Sequence, residues 1–393
     1  MTRGGSIVRD TVRKLQQVLR TQQVDVAIFG RPENVAYVTG IAPEGPEWAG
    51  VAMAGGPMTA VLFAETADSG ELILANTEEW IVGQRELHVL RKLYPAFSND
   101  HAYDPQKQYI DALTKEVNRL LSRSVRIGID DGVPHMVVES LRRRGVDGLV
   151  NITEVAARCR RIKTPSEIAL IRECARINDI GQQACRSFAK PGITELELWH
   201  HVVQRMEDEV GARLTVSGEL VSGPRTAKPN YPGGPTTRIL QPADTVILDL
   251  SVRLSGYWTD TTNTLVLSAS PSTSLITCFS AAKAAFEAVI KELGPGQTCA
   301  DVEKVARQTL SGFGFLPQHY LGHQIGTTVN ELPRLVSYDS SPIEPGMVFA
   351  IEPGAYEGEG GSFGARLEKN IVVTETGCEI LSNFPWGLDP ASK

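Results

Sequence analysis

Two consecutive apolar segments that each carry one aspartate constrain the fold of this chain most strongly. The segments are TVILDLSVRL (245–254) and GYWTDTTNTLVL (256–267), and their aspartates are Asp249 and Asp260. Both segments are rich in β-branched and aromatic residues, which predicts two strands of one hairpin. With a turn centred between residues 254 and 255, Asp249 is predicted to lie directly opposite Asp260.

Two carboxylates in this position need a partner. Directly opposed residues have Cβ atoms about 4.5–5.5 Å apart, and like charges at that distance destabilise the pair of strands. A bound divalent cation would neutralise both carboxylates and take their oxygens as ligands. The alternatives are two solvated strand residues, or an aspartate that accepts a hydrogen bond from a turn amide.

Three more residues with ligand-type side chains follow later in the chain. His323 lies in HYLGHQIG, Glu352 follows the apolar run VFAI, and Glu368 lies two residues after Arg366 and just before another predicted strand. A charge at the end of an apolar run is costly unless it is paired. One imidazole and four carboxylates together suit two divalent ions that are bridged by carboxylates.

The predicted elements divide the 393 residues into two parts, and a chain of this length is expected to form about two domains. Residues 1–158 alternate helices and strands, which predicts an α/β domain with helices covering a sheet. Residues 159–393 mix helices with antiparallel strands, so the fold class of the whole is α+β. Predicted helices cover 9–21, 105–122, 134–145, 164–190, 194–210, 274–292 and 299–311, and predicted strands cover 24–30, 60–65, 71–76, 126–132, 245–254, 256–267, 347–353 and 369–375.

Composition excludes several functional classes. The 39 basic and 46 acidic residues give a net charge of −7, which argues against a nucleic-acid-binding surface. The chain has neither a continuous apolar run of membrane-spanning length nor the apolar core of a secretory signal, so no membrane association is expected. All six cysteines follow residue 158 without C-x-x-C spacing, which predicts reduced thiols in a cytoplasmic protein.

The motifs around these residues resemble those of the pita-bread-fold metallopeptidases. This family includes Xaa-Pro aminopeptidases, prolidases, methionine aminopeptidases and their creatinase relatives. The resemblance covers about residues 155–380, and NVAYVTG at 34–40 suits the N-terminal domain of the prolidase and aminopeptidase P branch. DLSVRLSGYWTDTTNT resembles D-x-G-x(4)-G-Y-x-x-D-x-T-R, HYLGHQIG resembles H-x-x-G-H-x-x-G, EPGMVFAIEPGAY resembles E-P-G-M-x-x-x-x-E-P-G-x-Y, and GARLEKNIVVT resembles R-x-E-D-x-I-x-V-T.

The resemblance implies a C-terminal pita-bread fold, a smaller creatinase-like α/β domain before it, and a homodimer. It also implies a set of five ligands for two divalent ions, with Mn²⁺ expected first and Fe, Co or Zn as alternatives. In the implied reaction the ions activate a water molecule and polarise the scissile carbonyl, and Glu352 carries the proton to the leaving nitrogen. The five implied ligands are Asp249, Asp260, His323, Glu352 and Glu368.

Two further positions match family residues whose roles the resemblance leaves open. His319 matches the first histidine of H-x-x-G-H, which implies either a catalytic residue near the substrate or a structural histidine behind the ligands. Arg366 matches the arginine two residues before the last ligand. It could bind a substrate carboxylate or orient Glu368.

Two asparagines stand where peptidases of this branch carry histidines. Asn230 follows a proline where P-H is usual, and Asn330 lies seven residues after His323, where H-E-x-P is usual. Asparagine can donate a hydrogen bond but cannot carry charge or a proton. Together with Tyr231, both asparagines are predicted to line a substrate pocket with changed specificity. Ser251 for the usual glycine is a smaller departure.

The sequence therefore predicts a dinuclear metal-dependent hydrolase that cleaves an amide or other C–N bond of a small-molecule or short-peptide substrate. Xaa-Pro peptidase activity is its nearest specific form. A non-peptide C–N hydrolase or a lyase on the same scaffold is the first alternative. A non-catalytic binding module is the second, and the retention of all five ligand residue types argues against it.

Overall fold

The structure is a computed structural model that describes residues 3–42, 58–65, 71–75, 90–118, 125–229, 233–267 and 270–389. The chain divides into two compact units, Met1–Arg160 and Arg161–Lys393. Its six cysteines are unpaired, and only Cys378 is more than slightly exposed.

The first unit contains a mixed sheet of six strands in the order β4-β3-β2-β1-β5-β6. Strand β1 is antiparallel to β2 and parallel to β5. In chain order the elements are α1 (Arg3–Thr21), β1 (Val26–Phe29), α2 (Pro32–Thr39), β2 (Thr59–Phe63), β3 (Glu71–Ala75), β4 (Leu90–Tyr94), α3 (Pro105–Asn118), β5 (Ile127–Ile129), α4 (His135–Arg143), β6 (Leu149–Asn151) and α5 (Thr153–Arg161).

The central strand β1 explains the layered architecture. Its sequence VAIF is apolar throughout, and alternate side chains enter two different apolar clusters. Ala27 and Phe29 pack with the apolar face of α1, whereas Val26 and Ile28 pack with α3 and α4. Helices therefore cover both faces of the sheet, which confirms the predicted α/β domain.

The second unit contains the larger number of strands. A three-stranded antiparallel sheet has the order β7-β8-β9, a five-stranded sheet has the order β11-β10-β12-β15-β16, and β13 pairs with β14. The elements are α6 (Pro165–Phe188), α7 (Glu195–Val210), β7 (Thr215–Ser222), a 3₁₀-helix (Gly223–Ala227), β8 (Thr245–Leu254), β9 (Tyr257–Val266), α8 (Thr273–Glu292), α9 (Cys299–Gly312), β10 (Gly322–Gln324), β11 (Glu331–Leu335), β12 (Val348–Ile351), β13 (Gly354–Tyr356), β14 (Gly364–Arg366), β15 (Lys369–Val373) and β16 (Cys378–Ile380).

Pairs of helices cover these sheets. Helices α6 and α7 share an apolar cluster with β7, β8 and β9, and helices α8 and α9 share a second cluster with β12 and β15. By length and composition, α8 could cross a membrane, with a mean hydropathy of 1.3. Its residues Cys278, Ala281 and Phe286 are buried in the second cluster, as expected for a core helix.

The β8–β9 hairpin turns one residue later than predicted. Leu254 pairs with Tyr257, and the two residues between them, Ser255 and Gly256, have φ of 50° and 87°. Positive φ at both positions is typical of a type I′ turn, whose twist matches that of the flanking strands. The sequence did not indicate this turn, because Ser-Gly is a weaker hairpin signal than Asn-Gly.

The later turn changes the partners of both aspartates. Asp249 pairs with Thr262, and Asp260 pairs with Ser251. The prediction that the two aspartates directly face each other was therefore wrong. They are diagonal neighbours on the same face of the hairpin, which still lets their carboxylates approach one ion.

A buried ion pair supports β10, which carries His323, and β11, which directly follows Asn330. Lys163 lies just before α6, and its Nζ donates to Gln324 Oε1 over 2.9 Å and contacts Glu331 Oε2 over 3.3 Å. Both charged side chains are almost completely buried. Gln324 follows His323 and Glu331 follows Asn330, so the contacts of Lys163 link β10 to β11 next to both of these residues.

We expect Lys163→Met to lower the free energy of unfolding of the second unit by about 3–5 kcal/mol, because it leaves the Glu331 carboxylate buried without its cation. Urea unfolding followed by circular dichroism would measure the change. Lys283 and Glu287 form an exposed pair on α8, so Lys283→Ala is the matched control, with an expected change within about 0.5 kcal/mol. Equal effects of the two substitutions would contradict this assignment.

Candidate metal centre

Strands of two sheets bring the five predicted ligands into one region of the second unit. Asp249 lies in β8, Asp260 in β9 and His323 in β10, whereas Glu352 directly follows β12 and Glu368 directly precedes β15. Four of the five are buried, and the Asp249 side chain is only 15% exposed.

His323 is held with one ring nitrogen facing the carboxylates. Its Nδ1 lies 2.9 Å from the carbonyl oxygen of Gln324, so Nδ1 carries the proton and Nε2 keeps its lone pair. Nε2 lies 3.8 Å from Asp260 Oδ2 and 3.7 Å from Glu352 Oε1. Atoms that bind one ion at about 2.0–2.2 Å lie within about 4.4 Å of each other, so these spacings fit a shared ion.

Gly322 allows this placement of the histidine. A Cβ atom at Gly322 would lie 2.2 Å from the carbonyl oxygen of Ala350 on β12. Only glycine lets β10 approach β12 this closely beside His323.

Asp260, His323 and Glu368 offer one ligand atom each, and these three atoms lie within 4.8 Å of one another, so they could hold one ion. Two hydroxyl groups orient the two carboxylates. Ser251 Oγ donates to Asp260 Oδ1 over 2.9 Å, and Thr262 Oγ1 donates to Glu368 Oε2 over 2.7 Å. The serine that departs from the family motif therefore supports a ligand.

Arg366 is buried and contacts two carboxylates through one nitrogen. Its Nη2 donates to Asp249 Oδ2 over 2.7 Å and to Glu219 Oε2 over 2.6 Å. These contacts favour a role in orienting ligands over binding a substrate carboxylate. It contacts the ligand Asp249 directly. Its Nε also donates to Thr262 Oγ1 over 3.4 Å, and this hydroxyl donates to Glu368, so Arg366 is linked to Glu368 through Thr262.

Glu219 is a site residue that no sequence motif indicated. It lies in β7 directly opposite Asp249 and is buried. The available signal was a single glutamate within the strand-like segment TVSGELVS (215–222). Such a residue is most often solvated, so the segment alone did not point to the site.

The enclosed charges do not balance without cations. The four carboxylate ligands, Glu219 and Arg366 sum to −5 + 1 = −4 when all are ionised and both histidines are neutral. Burial, reinforced by neighbouring carboxylates, raises the pKa of Asp260, Glu352 and Glu368 well above ordinary values. Two divalent ions would contribute +4, so the donor set fits a pair of such ions.

His319 has partners at both ring nitrogens. Nδ1 lies 2.7 Å from the carbonyl oxygen of Tyr320, and Nε2 lies 3.0 Å from the Tyr356 hydroxyl. Burial lowers the pKa of His319 to about 4, so the ring is neutral at physiological pH. This arrangement favours the structural role that the resemblance left open, although Nδ1 is also 3.8 Å from Glu352 Oε2.

Asn330 belongs to a polar cluster next to His323. Its Nδ2 donates to the Tyr320 hydroxyl over 3.1 Å, and its Oδ1 accepts from Arg334 Nε over 3.1 Å. The Arg334 guanidinium lies 5.2 Å from the centre of the Tyr320 ring, which is 5.8 Å from the His323 ring. The other two predicted pocket residues, Asn230 and Tyr231, lie outside the described residues.

Two family descriptions match the chain. Residues 169–375 match metallopeptidase family M24, and residues 12–162 match the creatinase/prolidase N-terminal domain. Among curated proteins, an uncharacterized peptidase of Staphylococcus haemolyticus is 29% identical, with 95% of this chain and 99% of that protein covered.

Solved structures with this fold cover nearly the whole chain. A prolidase of Pyrococcus horikoshii aligns with a TM-score of 0.77 and 22% identity over 96% of this chain and 99% of its own. An X-Pro aminopeptidase of Thermotoga maritima aligns with a TM-score of 0.78 and 22% identity over 96% and 98%. These matches confirm the predicted pita-bread fold with its creatinase-like domain. Because the M24 match spans more than half of the 393 residues, this protein belongs to metallopeptidase family M24.

Proposed function

We propose that this metallopeptidase is a dinuclear enzyme that hydrolyses Xaa-Pro dipeptides or similarly small, carboxylate-bearing amides. The observation that carries the proposal is the enclosed group of four carboxylates and one neutral imidazole, whose charge two divalent ions would balance. The prolidase and the X-Pro aminopeptidase that share this fold support the substrate class.

The five predicted ligands would hold the ions, and Asp260, His323 and Glu368 place three ligand atoms close enough together to share one ion. Mn²⁺ is our first expectation because most of the donors are carboxylate oxygens, and Fe, Co and Zn are alternatives. When bound, such ions polarise a carbonyl and lower the pKa of water.

Glu352 is the residue best placed to move a proton. Its two carboxylate oxygens lie 3.7 Å from His323 Nε2 and 3.8 Å from His319 Nδ1. His319 is neutral and has partners on both nitrogens, so it does not supply the proton itself. Glu352 therefore accepts a proton from water and passes it to the leaving nitrogen.

Arg334 is the cation that we assign to the substrate carboxylate. It is partly exposed and pairs across the β10–β11 register with His323, which brings it beside the ligands. Its Nε donates to Asn330, and its guanidinium lies over Tyr320. A guanidinium held by one edge and one face can present its remaining N–H groups to a carboxylate.

A non-peptide C–N hydrolase is the second candidate. The observation that favours it is Asn330, whose amide binds Tyr320 and Arg334 where related peptidases carry a histidine. An amide cannot donate a proton to a departing group, so a substrate with a better leaving nitrogen would suit this position. A homodimer and a cytoplasmic location remain predictions from the sequence.

We expect metal-free protein incubated with Mn²⁺ to retain up to two equivalents, and Asp260→Asn to retain less than one, because Asp260 belongs to the Asp260–His323–Glu368 group of ligand atoms. Elemental analysis after gel filtration would measure both. Asp179 is a buried aspartate that accepts a backbone hydrogen bond from Asn383, so Asp179→Asn is the matched control. Full metal content in Asp260→Asn would contradict the ligand assignment.

The buried carboxylates should make the metal-free protein less stable as the pH rises above about 4, the ordinary pKa of a carboxylate. The raised pKa values mean that the folded state holds protons on its carboxylates that the unfolded state has released. Each such carboxylate lowers the free energy of unfolding by about 1.4 kcal/mol per pH unit, until the pH reaches its folded-state pKa. His319 and His323, whose pKa values are both lowered to about 4, make the protein more stable as the pH rises from about 4 to about 6.5. Above about 6.5 they no longer oppose the effect of the carboxylates.

Thermal melts in EDTA and in Mn²⁺ at pH 6.5 and 8.5 would test this expectation. The difference in Tm between the two forms should be larger at pH 8.5, because ion binding requires ionised carboxylates. A difference that does not change with pH would show that these carboxylates are already ionised in the metal-free protein.

Xaa-Pro dipeptides should be hydrolysed by the parent protein when Mn²⁺ or Co²⁺ is added. Arg334→Met should raise KM by about 10–100-fold with a smaller change in kcat, because the charge-assisted contact with the substrate carboxylate is lost. Dipeptide amides, which lack the carboxylate, should not distinguish the variant from the parent. Arg253 lies over Trp258 in the same manner, so Arg253→Met is the control. A metal-loaded protein inactive on all Xaa-Pro peptides would favour the non-peptide candidate.

A further inference from the structure

Glu219 lies against the predicted ligands without being one of them. It is paired with Asp249 across the β7–β8 register, and its side chain is 3% exposed. A buried carboxylate beside four others adds repulsion, so its presence needs a compensating role.

The backbone around Glu219 holds its carboxylate in one orientation. Gly218 has φ of +138°, and a Cβ there would lie 2.1 Å from the carbonyl oxygen of Asp249, so glycine is required for β7 to approach β8 at this point. The backbone N–H of Gly233 donates to Glu219 Oε1 over 3.1 Å. Oε2 is thereby directed to Arg366.

A single nitrogen of Arg366 lies between two carboxylates. Nη2 is 2.6 Å from Glu219 Oε2 and 2.7 Å from Asp249 Oδ2. A guanidinium shared in this way neutralises each carboxylate only in part. Asp249 therefore keeps negative charge that an exclusive pair with Arg366 would remove.

We propose that Glu219 is a positioning residue of the metal centre. By binding Arg366, Glu219 keeps Asp249 available as a ligand. The first ion is the one held by the Asp260–His323–Glu368 group, and the second ion also needs Asp249. Glu219 thereby sets the affinity of the second ion. The inference rests on the proposed dinuclear site. It predicts that neutralising Glu219 lets Arg366 pair with Asp249 alone and compete with that ion.

The test is calorimetric titration of Mn²⁺ alone into metal-free full-length protein, with electron paramagnetic resonance to count bound Mn²⁺. The parent protein should take up two ions. Glu219→Gln keeps the size of the side chain and removes its charge, and it should bind the first ion as the parent does and the second about 10–100-fold more weakly. Glu219→Asp, which keeps the charge, should recover part of this loss.

Two further variants separate positioning from a merely structural role. Combining Glu219→Gln with Arg366→Gln removes the competing guanidinium, so the second ion should again bind within a few-fold of the parent affinity. If Glu219 only supported the structure, the losses of affinity caused by Glu219→Gln and by Arg366→Gln should add in the double variant. Glu303 is a buried glutamate paired with Arg307 on α9, and Glu303→Gln is the matched control, with two ions bound as in the parent.

The outcomes distinguish this inference from the proposed function. A parent protein that binds only one Mn²⁺ would overturn the dinuclear site and, with it, the role of Glu219. Two ions in the parent and unchanged affinities in Glu219→Gln would overturn the inference alone. An equal loss of both ions in Glu219→Gln, without recovery in the double variant, would assign Glu219 a structural role and also overturn it.

Discussion

Repulsion among buried carboxylates is the constraint on which the catalytic unit depends. Five acidic side chains and one guanidinium occupy a region that water scarcely reaches, so their charges interact strongly. A flexible segment would relax such repulsion by moving its carboxylates apart into water. Here each ligand lies in a strand or next to the end of one, and the sheets resist that movement. The fold therefore keeps in place a charge pattern that favours cations.

The residues behind the ligands complete this rigidity. Ser251 and Thr262 each donate to one carboxylate, and the Gln324 carbonyl fixes the tautomer of His323. Lys163 then contacts the Gln324 side chain, so the support for the histidine extends to the start of α6. Because these supports come from distant parts of the sequence, the centre forms only when the whole unit has folded.

This dependence also explains what the sequence could predict. Long periodic segments such as α8 and β8 were predicted within one or two residues, because their patterns are local. The turn of the β8–β9 hairpin was predicted one residue too early, because its position depends on the positive φ of Ser255. Glu219 was missed, and the contact of Arg366 with Asp249 was not predicted, because both depend on which strands pair, and no local pattern contains that information.

The departures from the family pattern lie in different places, and their positions separate chemistry from specificity. Ser251 lies at the ligands and donates to one of them, so this change preserves the centre. Asn330 lies beside the ligands and contacts Tyr320 and Arg334, neither of which belongs to the ligand set. Tyr320 and Arg334 lie where they can contact a substrate, whereas the four carboxylate ligands and His323 would hold the ions that act on the bond that is cleaved. Under the proposed function, Asn330 therefore acts on the choice of substrate, while all five ligand residues of the metal centre are retained.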